Sequence, residues 1–91
     1  MKINHSFDET NGVFYIEQEG KPVAKMIYTM QPGRMVIQHT EVDETLRGQN
    51  AGFSLVQQGI AYAREHHLKI VPLCKFAKKM IGRHKELQDV L

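Results

Sequence analysis

The hydrophobic period of this chain changes near its middle, across the segment from Thr40 to Gly52. Before the segment, aromatic and β-branched residues form short runs between Gly- and Pro-containing turns, as antiparallel strands do. After it, apolar residues recur at the spacing of one helix face. The segment therefore predicts a turn from a strand into a helix. A turn of this kind presents backbone N–H groups at the positive end of a helix, and phosphate is the commonest anion bound there.

The first half of the chain predicts an antiparallel meander. Three runs have strand composition, and a short strand near Ile3–Phe7 is expected to pair at the edge of the sheet. The three runs are Val13–Glu17, Val23–Met30 and Met35–Val42. Glycine and proline favour tight turns, so turns are predicted at Asn11-Gly12, Glu19–Pro22 and Gln31–Arg34.

The second half predicts a β–α–β unit. A helix is expected from Ala51 to His66, with Asn50 as its N-cap. Gly59 costs helix stability, so its presence predicts close packing of the helix on the sheet. A buried strand is expected at Leu68–Leu73, ending near Pro72. Crossovers of this type are right-handed, so this strand should lie parallel to the one that ends at Val42.

The end of the chain predicts two short helices. Phe76, Ala77, Met80 and Ile81 give one apolar face, and Gly82 suits the helix end. Residues 84–91 are expected to form the last short helix. The predicted fold class is therefore α/β (α+β), an antiparallel meander followed by a β–α–β unit and a short C-terminal helical segment.

Length and composition predict one small domain over residues 1–91, since the chain has room for a single core. A hydrophobic fraction of 42% and a charged fraction of 24% are typical of a globular protein. The sequence has no long apolar run and no leader resembling a signal peptide. The one cysteine cannot form an internal disulfide, which agrees with a reducing compartment. We therefore expect a cytoplasmic protein.

The formal charge of +2 is too small to imply nucleic acid, but the positive charge is clustered near the end of the chain. The clustered bases are Lys75, Lys78, Lys79, Arg83 and Lys85. They form either a solvated helix face or a local site for a phosphate or an acidic partner. The residues alone leave both interpretations open.

The glycine-rich turn is the first candidate binding site. Gly48 and Gly52 flank three residues that can wrap an oxyanion, and Arg47 adds a fixed positive charge with planar donors. The pattern is neither a P-loop nor the dinucleotide fingerprint, because both signatures are incomplete here. A tight turn without a ligand is the alternative.

Cys74 is the second candidate, at the end of the last apolar strand. It is either a small buried hydrophobic residue or a nucleophile whose pKa is lowered by Lys75 and the next helix N-terminus. Parallel pairing would bring His39 or Glu41 close to it. His39 is either half-buried in its strand or a general base. His66 and His67 are interpreted as structural, and no metal site is expected.

The residues resemble the short, single-domain branch of the GNAT superfamily of N-acetyltransferases. Three segments carry the resemblance, over roughly the last 50 residues: Ile37–Val42, Leu46–Gly52 with Leu55 and Val56 after it, and Ala63–Glu65 through Ile70–Phe76 to Arg83-His84. The Pro72-Leu73-Cys74 sequence, with His84 ten residues after Cys74, is specific to this branch. The early hairpins fit the same GNAT-like fold.

The resemblance implies a site for acetyl-CoA. Backbone groups of Glu41 and Val42 would hold the pantetheine arm like an added strand, and the Val42 N–H would face the thioester oxygen. Backbone N–H groups of Arg47, Gly48, Gln49, Asn50, Ala51 and Gly52 would hold the diphosphate. Asn50 replaces the usual glycine, and asparagine tolerates the left-handed conformation. Phe76, Lys79, Arg83 and His84 would lie near the adenosine or phosphate end.

The resemblance also implies chemistry, with one departure. Many GNAT enzymes use a tyrosine after the last strand as the acid, and no tyrosine follows Val71 here. Cys74 is then the acid, or it accepts the acetyl group in a two-step reaction. His39 or Glu41 would deprotonate the amine, directly or through water. Direct transfer is our first choice.

The implied partners are acetyl-CoA and an amine acceptor, either a protein lysine or a small amine. The main alternative is a CoA- or acyl-CoA-binding protein with little or no catalysis. A small module that binds nucleic acid through the basic helix is a further alternative, but nucleic acid is not the expected partner. A membrane is not an expected partner either, and a monomer or weak homodimer is expected.

Overall fold

The computed structural model describes residues 2–91, in which one mixed sheet is covered by helices. The strands are β1 (Asn4–Asp8), β2 (Asn11–Gln18), β3 (Lys21–Gln31), β4 (Arg34–Val42) and β5 (Lys69–Pro72). The helices are α1 (Ala51–Glu65) and α2 (Lys75–Arg83), with short 3-10 turns at Glu44–Leu46 and Lys85–Val90. No helix of this part of the chain is long and apolar enough to cross a membrane.

The strand order in the sheet is β1-β2-β3-β4-β5. The first three pairings are antiparallel, whereas β4 and β5 pair in parallel across α1. The predicted meander, the edge strand and the β–α–β unit are therefore all confirmed. Tight turns close the hairpins as predicted after β2 and β3, where Gly20 and Gly33 have φ angles of 77° and 73°.

The prediction of a turn at Asn11-Gly12 is wrong. Both residues lie in β2, and the turn before it is made by Glu9 and Thr10, with Glu9 in the left-handed region at φ 53°. Gly12 is needed inside the strand for a different reason. Gly12 pairs with Tyr28 of β3, and the Tyr28 ring occupies the space that a side chain at Gly12 would fill.

The predicted helix boundaries need three small corrections. Helix α1 ends at Glu65, and His66 is its C-cap rather than its last residue. Gly82 lies inside α2, which continues one residue further to Arg83. The expected last short helix is present at Lys85–Val90 but is of the 3-10 type, and side chains of α1 and β5 contact its backbone. Arg64 donates to the Glu86 carbonyl at 2.6 Å and to Asp89, and the Lys69 ammonium donates to the Asp89 carbonyl at 3.1 Å.

The hydrophobic core lies on one face of the sheet, under α1, α2 and the C-terminal turn. Gly59 lets α1 approach closely, since a Cβ at this position would lie 2.6 Å from the methyl carbon of Met26. This confirms the predicted role of Gly59. The largest fully buried side chains are Tyr28, Phe14, Met26, Met35, Ile37, Leu46, Leu55, Ile60, Ile81 and Val56.

A β-bulge in β4 changes which side chains face this core. Tyr28 pairs with Ile37, but the next residue of β3, Ile27, pairs with His39, so Gln38 is the extra residue. Beyond the bulge, Thr40 shares the core face with Met26. His39 and Glu41 consequently lie on the opposite face, which we call the open face because α1 and α2 do not cover it.

The β4 and β5 strands separate halfway along β4. Their pairing ends at Ile37 and Pro72, whereas β4 continues to Val42. The N–H groups of Leu73 and Cys74 both donate to the Ile37 carbonyl, at 3.0 Å and 3.1 Å. Residues 38–42 therefore have an edge that β5 does not pair, and the N-terminus of α2 lies beside it.

We expect the attachment of β1 to weaken in mild acid. The Tyr28 hydroxyl and Nε2 of His5 share a hydrogen bond, and the His5 ring stacks on Phe14 with centroids 4.1 Å apart. Burial, then repulsion from His66, lowers the pKa of His5 below its usual 6.5, so the neutral ring is the form that the fold favours. Burial, followed by the charge of Tyr62, raises the pKa of Tyr28 to about 12, which keeps the phenol protonated.

The sign of this effect is fixed by the lowered pKa. The contribution of His5 to stability is present above the unfolded pKa near 6.5 and is lost as the pH falls through the folded pKa. Amide hydrogen exchange in β1 should therefore accelerate between pH 7 and pH 5 relative to β3. A His5→Phe variant should lose this difference, and an unchanged pH response in that variant would contradict the assignment.

Candidate functional site

The turn between β4 and α1 has the geometry of an anion site. Asp43 caps the short 3-10 turn by accepting from the Thr45 N–H at 2.9 Å. The chain then turns through two left-handed residues, Gly48 at φ 83° and Asn50 at φ 55°. Asn50 is the N-cap of α1 by position, as predicted, but its side chain makes no capping hydrogen bond. Its left-handed conformation is the one that glycine adopts easily, so asparagine preserves the turn.

Several backbone N–H groups of this turn have no backbone hydrogen-bond partner in residues 2–91. Two of the expected diphosphate donors are occupied, because the N–H of Arg47 donates to the Glu44 carbonyl and that of Gln49 to the Leu46 carbonyl. The N–H of Ser54 begins the helix by donating to Asn50. Those of Gly48 and Asn50 make no backbone bond within the described chain. The first N–H groups of α1, at Ala51 and Gly52, are left free by helix geometry.

A groove of about 240 Å³ lies in front of these donors. Arg47 stands at its edge with a side chain that is 83% exposed, 3.9 Å from Glu44. Phe76 closes one side, since a Cβ at Gly52 would be 2.5 Å from its ring. The groove is lined by Val42, Leu46, Arg47, Gly48, Asn50, Ala51, Gly52, Phe53, Phe76 and Met80.

Helix α2 places two of its basic residues, Lys79 and Arg83, beside this groove. At 100° per residue, Lys79 and Arg83 flank the groove-lining Phe76 and Met80, whereas Lys78 lies on the far side of the helix. His84 follows α2 and is fixed, because its Nδ1 donates to the Met80 carbonyl at 2.8 Å and its ring lies 4.8 Å from Phe53. The predicted cofactor residues of α2 thus lie around one groove.

Cys74 is buried at the N-cap of α2, with 9% of its surface exposed. Its thiol donates to the Thr40 hydroxyl, with Sγ and Oγ1 3.4 Å apart. Burial by itself raises the pKa of the thiol. In the ionised form the sulfur accepts hydrogen bonds from the Thr40 hydroxyl and from the backbone N–H groups of Ala77, Phe76 and Thr40. These bonds outweigh burial, so the pKa of the thiol lies below the usual 9.0.

The expectation that His39 or Glu41 approaches Cys74 is wrong. The bulge at Gln38 puts Thr40 on the core face, and Thr40 is the β4 side chain that contacts the thiol. His39 and Glu41 contact each other on the open face, with Nε2 and Oε1 3.0 Å apart. Glu41 also lies 3.6 Å from the ammonium of Lys25.

Val42 lies where the groove of the turn meets a second groove. The second groove, of about 490 Å³, runs along the ends of β3 and β4 and is lined by Pro22, Val23, Ala24, Lys25, Glu41, Val42 and Asp43. The Asp43 N–H donates to the Val23 carbonyl at 2.7 Å, toward β3. Backbone groups alternate along a strand, so the N–H groups of Val42 and Thr40 point to the unpaired edge and that of Glu41 points to β3.

Two side chains of this region were absent from the sequence prediction. Thr40 lies between two candidate residues, and only the bulge brings it to Cys74. Lys25 pairs with Glu41 across the hairpin. The turn at Pro32-Gly33 could have suggested that β3 and β4 form a hairpin. If residues are paired outward from that turn without the bulge, however, Lys25 falls opposite Thr40 instead of Glu41.

Within the described residues, no cluster of His, Cys, Asp or Glu could hold a metal ion.

Comparison with known proteins identifies the family. Residues 13–90 match the family of GCN5-related N-acetyl-transferases. The chain belongs to this family. A search of curated proteins found no match. Family membership makes the protein an acyltransferase by class, and the five-stranded sheet with its β–α–β unit is the GNAT fold.

Solved structures agree with this assignment. A GCN5-like candidate N-acetyltransferase from Staphylococcus aureus is 34% identical, with 96% of this chain and 85% of that chain covered and a TM-score of 0.74. The ribosomal-protein-alanine N-acetyltransferase from Brucella melitensis biovar Abortus 2308 is 17% identical, with 84% and 62% covered and a TM-score of 0.68. The ribosomal-protein-S18-alanine N-acetyltransferase from Escherichia coli is 20% identical, with 70% and 42% covered and a TM-score of 0.63. This chain covers less than two thirds of the length of the last two proteins, and the similarity to them is one of fold.

Proposed function

We propose that this protein is a minimal, single-domain N-acetyltransferase that moves an acetyl group from acetyl-CoA to a primary amine. The observation that carries the proposal is the position of Val42. Its backbone N–H points to the unpaired edge of β4, where the groove of the anion-binding turn meets the groove of the open face. A donor bound in the first groove and an acceptor in the second would meet there. Family membership supports the same reaction.

The residues of the first groove fit coenzyme A. The free N–H groups of Gly48, Asn50, Ala51 and Gly52 suit a diphosphate, and the Arg47 side chain supplies a cation beside them. The apolar Val42, Leu46 and Phe76 suit the pantetheine arm, which would bond to the unpaired edge at Val42. Glu41, the other residue expected to hold this arm, does not fit that role because its N–H points to β3. Acetyl-CoA, when bound, supplies the acetyl thioester.

Proton transfer is assigned to residues on the two faces of β4. On the open face, the His39–Glu41 pair takes a proton from the attacking amine. On the core face, the Cys74 thiol gives a proton to the departing thiolate and recovers one from solvent.

The single cysteine agrees with a reducing, cytoplasmic location, and this placement stays a prediction. The acceptor class stays open between a protein lysine and a small amine.

Calorimetric titration with acetyl-CoA tests the donor site. One-to-one saturable binding, with thermal stabilisation at high ligand, is the expected result. A screen of amines by release of free thiol then tests transfer. Binding without release from any amine would favour the alternative of a CoA-binding protein. If the titration gives no binding heat and the ligand gives no thermal stabilisation, the proposal is refuted.

We expect removal of the groove-side cations to weaken CoA binding selectively. The Lys79→Gln/Arg83→Gln variant should bind CoA about tenfold more weakly than the native protein, since each exposed charge contributes up to about 1 kcal/mol. Lys78→Gln is the matched control, because Lys78 lies on the far side of α2. Dephospho-CoA lacks the 3′-phosphate. If Lys79 and Arg83 contact that phosphate, dephospho-CoA should bind the double variant and the Lys78→Gln control with similar affinity. Equal weakening by Lys78→Gln would indicate a general charge effect instead.

We expect Cys74→Ala to bind acetyl-CoA normally and to lose about tenfold in kcat. This loss is small for removal of a general acid. The reason is that the thiol of CoA has a pKa of about 8.5, so its thiolate is a good leaving group without protonation. Cys74→Ser, which keeps a hydroxyl of similar size, is the control for packing. Intact-mass measurement after incubation with acetyl-CoA separates the two routes. A gain of one acetyl group at Cys74 that an amine then removes would favour the two-step reaction.

A further inference from the structure

The open face holds three charged or titratable groups in a row at the bulge of β4. Glu41 stands between the other two. One carboxylate oxygen, Oε1, lies 3.0 Å from Nε2 of His39, and the other, Oε2, lies 3.6 Å from the ammonium of Lys25. Lys25 is the cross-strand partner of Glu41 on β3, so the backbone holds this pair in register. Each carboxylate oxygen therefore has one partner.

The proton on His39 can be placed from this contact. An ionised carboxylate only accepts hydrogen bonds, so Nε2 of His39 must carry the proton that it donates to Glu41. In the neutral ring the second nitrogen, Nδ1, is then unprotonated and free to accept. We propose, on the basis of the proposed function, that His39 is the base through Nδ1, that Glu41 orients its ring, and that Lys25 orients Glu41.

The surroundings of Glu41 argue against its acting as the base itself. The hydrogen bond from His39, followed by the charge of Lys25, lowers the pKa of Glu41 below its usual 4.5. A carboxylate with a lowered pKa is a weaker base near neutral pH. On β2, Tyr15 pairs with Lys25, and neither α1 nor α2 packs on this face. Together with the contact geometry, these surroundings favour His39 over Glu41 as the base.

The exposed position limits the size of each contribution. The side chains of His39 and Glu41 are each 57% exposed, and that of Lys25 is 41% exposed. Lys25→Met should therefore lower kcat/KM by only about two- to fivefold, the range of an exposed ion pair. Lys25→Arg should restore the native value. Lys21→Met removes the same charge from the same strand and should have no effect.

The test combines ring nitrogen NMR with kinetics. In the native protein, long-range nitrogen–proton correlation should show the neutral His39 ring protonated on Nε2. Glu41→Ala removes the acceptor and should mix the two tautomers, whereas Glu41→Gln keeps a carbonyl acceptor and should preserve Nε2–H. In acetyl transfer, His39→Gln should lose about 100-fold in kcat/KM, and Glu41→Gln less than about tenfold.

Two results would overturn the assignment. One is a neutral His39 protonated on Nδ1 in the native protein, and the other is a loss in Glu41→Gln as large as that in His39→Gln. The proposed function fails separately. If the native protein transfers no acetyl group while its His39 keeps Nε2–H, the acetyltransferase proposal is wrong and the orienting roles of Glu41 and Lys25 stand.

Discussion

Val42→Pro should lower kcat/KM for acetyl transfer by about 100- to 1,000-fold, the usual cost of losing one hydrogen-bond donor to a developing oxyanion. Proline removes the Val42 N–H, which points to the unpaired edge of β4 and is the proposed donor to the thioester oxygen. The sheet should tolerate the change, because no pairing bond to β3 is lost and Val42 is the last residue of its strand. Acetyl-CoA should still bind, since the turn at residues 47–52 is untouched.

Val42→Ala is the matched control for this experiment. It trims a side chain that is 41% exposed and keeps the N–H, so turnover should stay within about threefold of the native value. Thermal melting and CoA titration of both variants separate a chemical effect from misfolding. Native-like turnover by a folded Val42→Pro variant would show that the oxyanion donor lies elsewhere.

The bulge at Gln38 explains why the sequence predicted the strands correctly but not the contacts of Cys74. Alternation counted from the buried Ile37 puts His39 and Glu41 on the core face, toward Cys74. One extra residue reverses the faces and brings Thr40 there instead. A bulge depends on local twist and on pairing with both neighbouring strands, and no residue type in this segment signals it.

The turn at Asn50 was easier to predict. Its conformation depends on short-range sterics, so a left-handed asparagine between Gly48 and Gly52 could be expected from residue types alone. The groove in front of it could not be expected in the same way. It is completed by Phe76 and Met80, which come from a helix more than twenty residues later and depend on how α2 packs beside β4.

Asn11-Gly12 is the case in which a local signal misled. The dipeptide is typical of a hairpin turn, but here tertiary packing decides. Gly12 lies in β2 because the neighbouring strand places the ring of Tyr28 over it. A glycine covered by a cross-strand aromatic ring is stabilised by that ring, which compensates for its missing side chain.

Gly12→Ala should therefore destabilise the protein by about 2–3 kcal/mol, the cost of overpacking a well-filled site. A Cβ at Gly12 would overlap the ring of Tyr28, which is fully buried and cannot move outward. The ring is held on its other sides by a hydrogen bond to His5 and by Phe14, whose centroid lies 5.5 Å away. For a domain of this size the melting temperature should fall by about 10–20 °C.

Gly82→Ala supplies a control in which the same substitution has the opposite sign. Gly82 lies in α2, and a Cβ there meets no atom within 4 Å. Alanine is the better helix former, so this variant should be more stable by about 0.5 kcal/mol. If Gly12→Ala melts like the native protein, Tyr28 can move aside, and the His5–Tyr28 contact does not fix the ring.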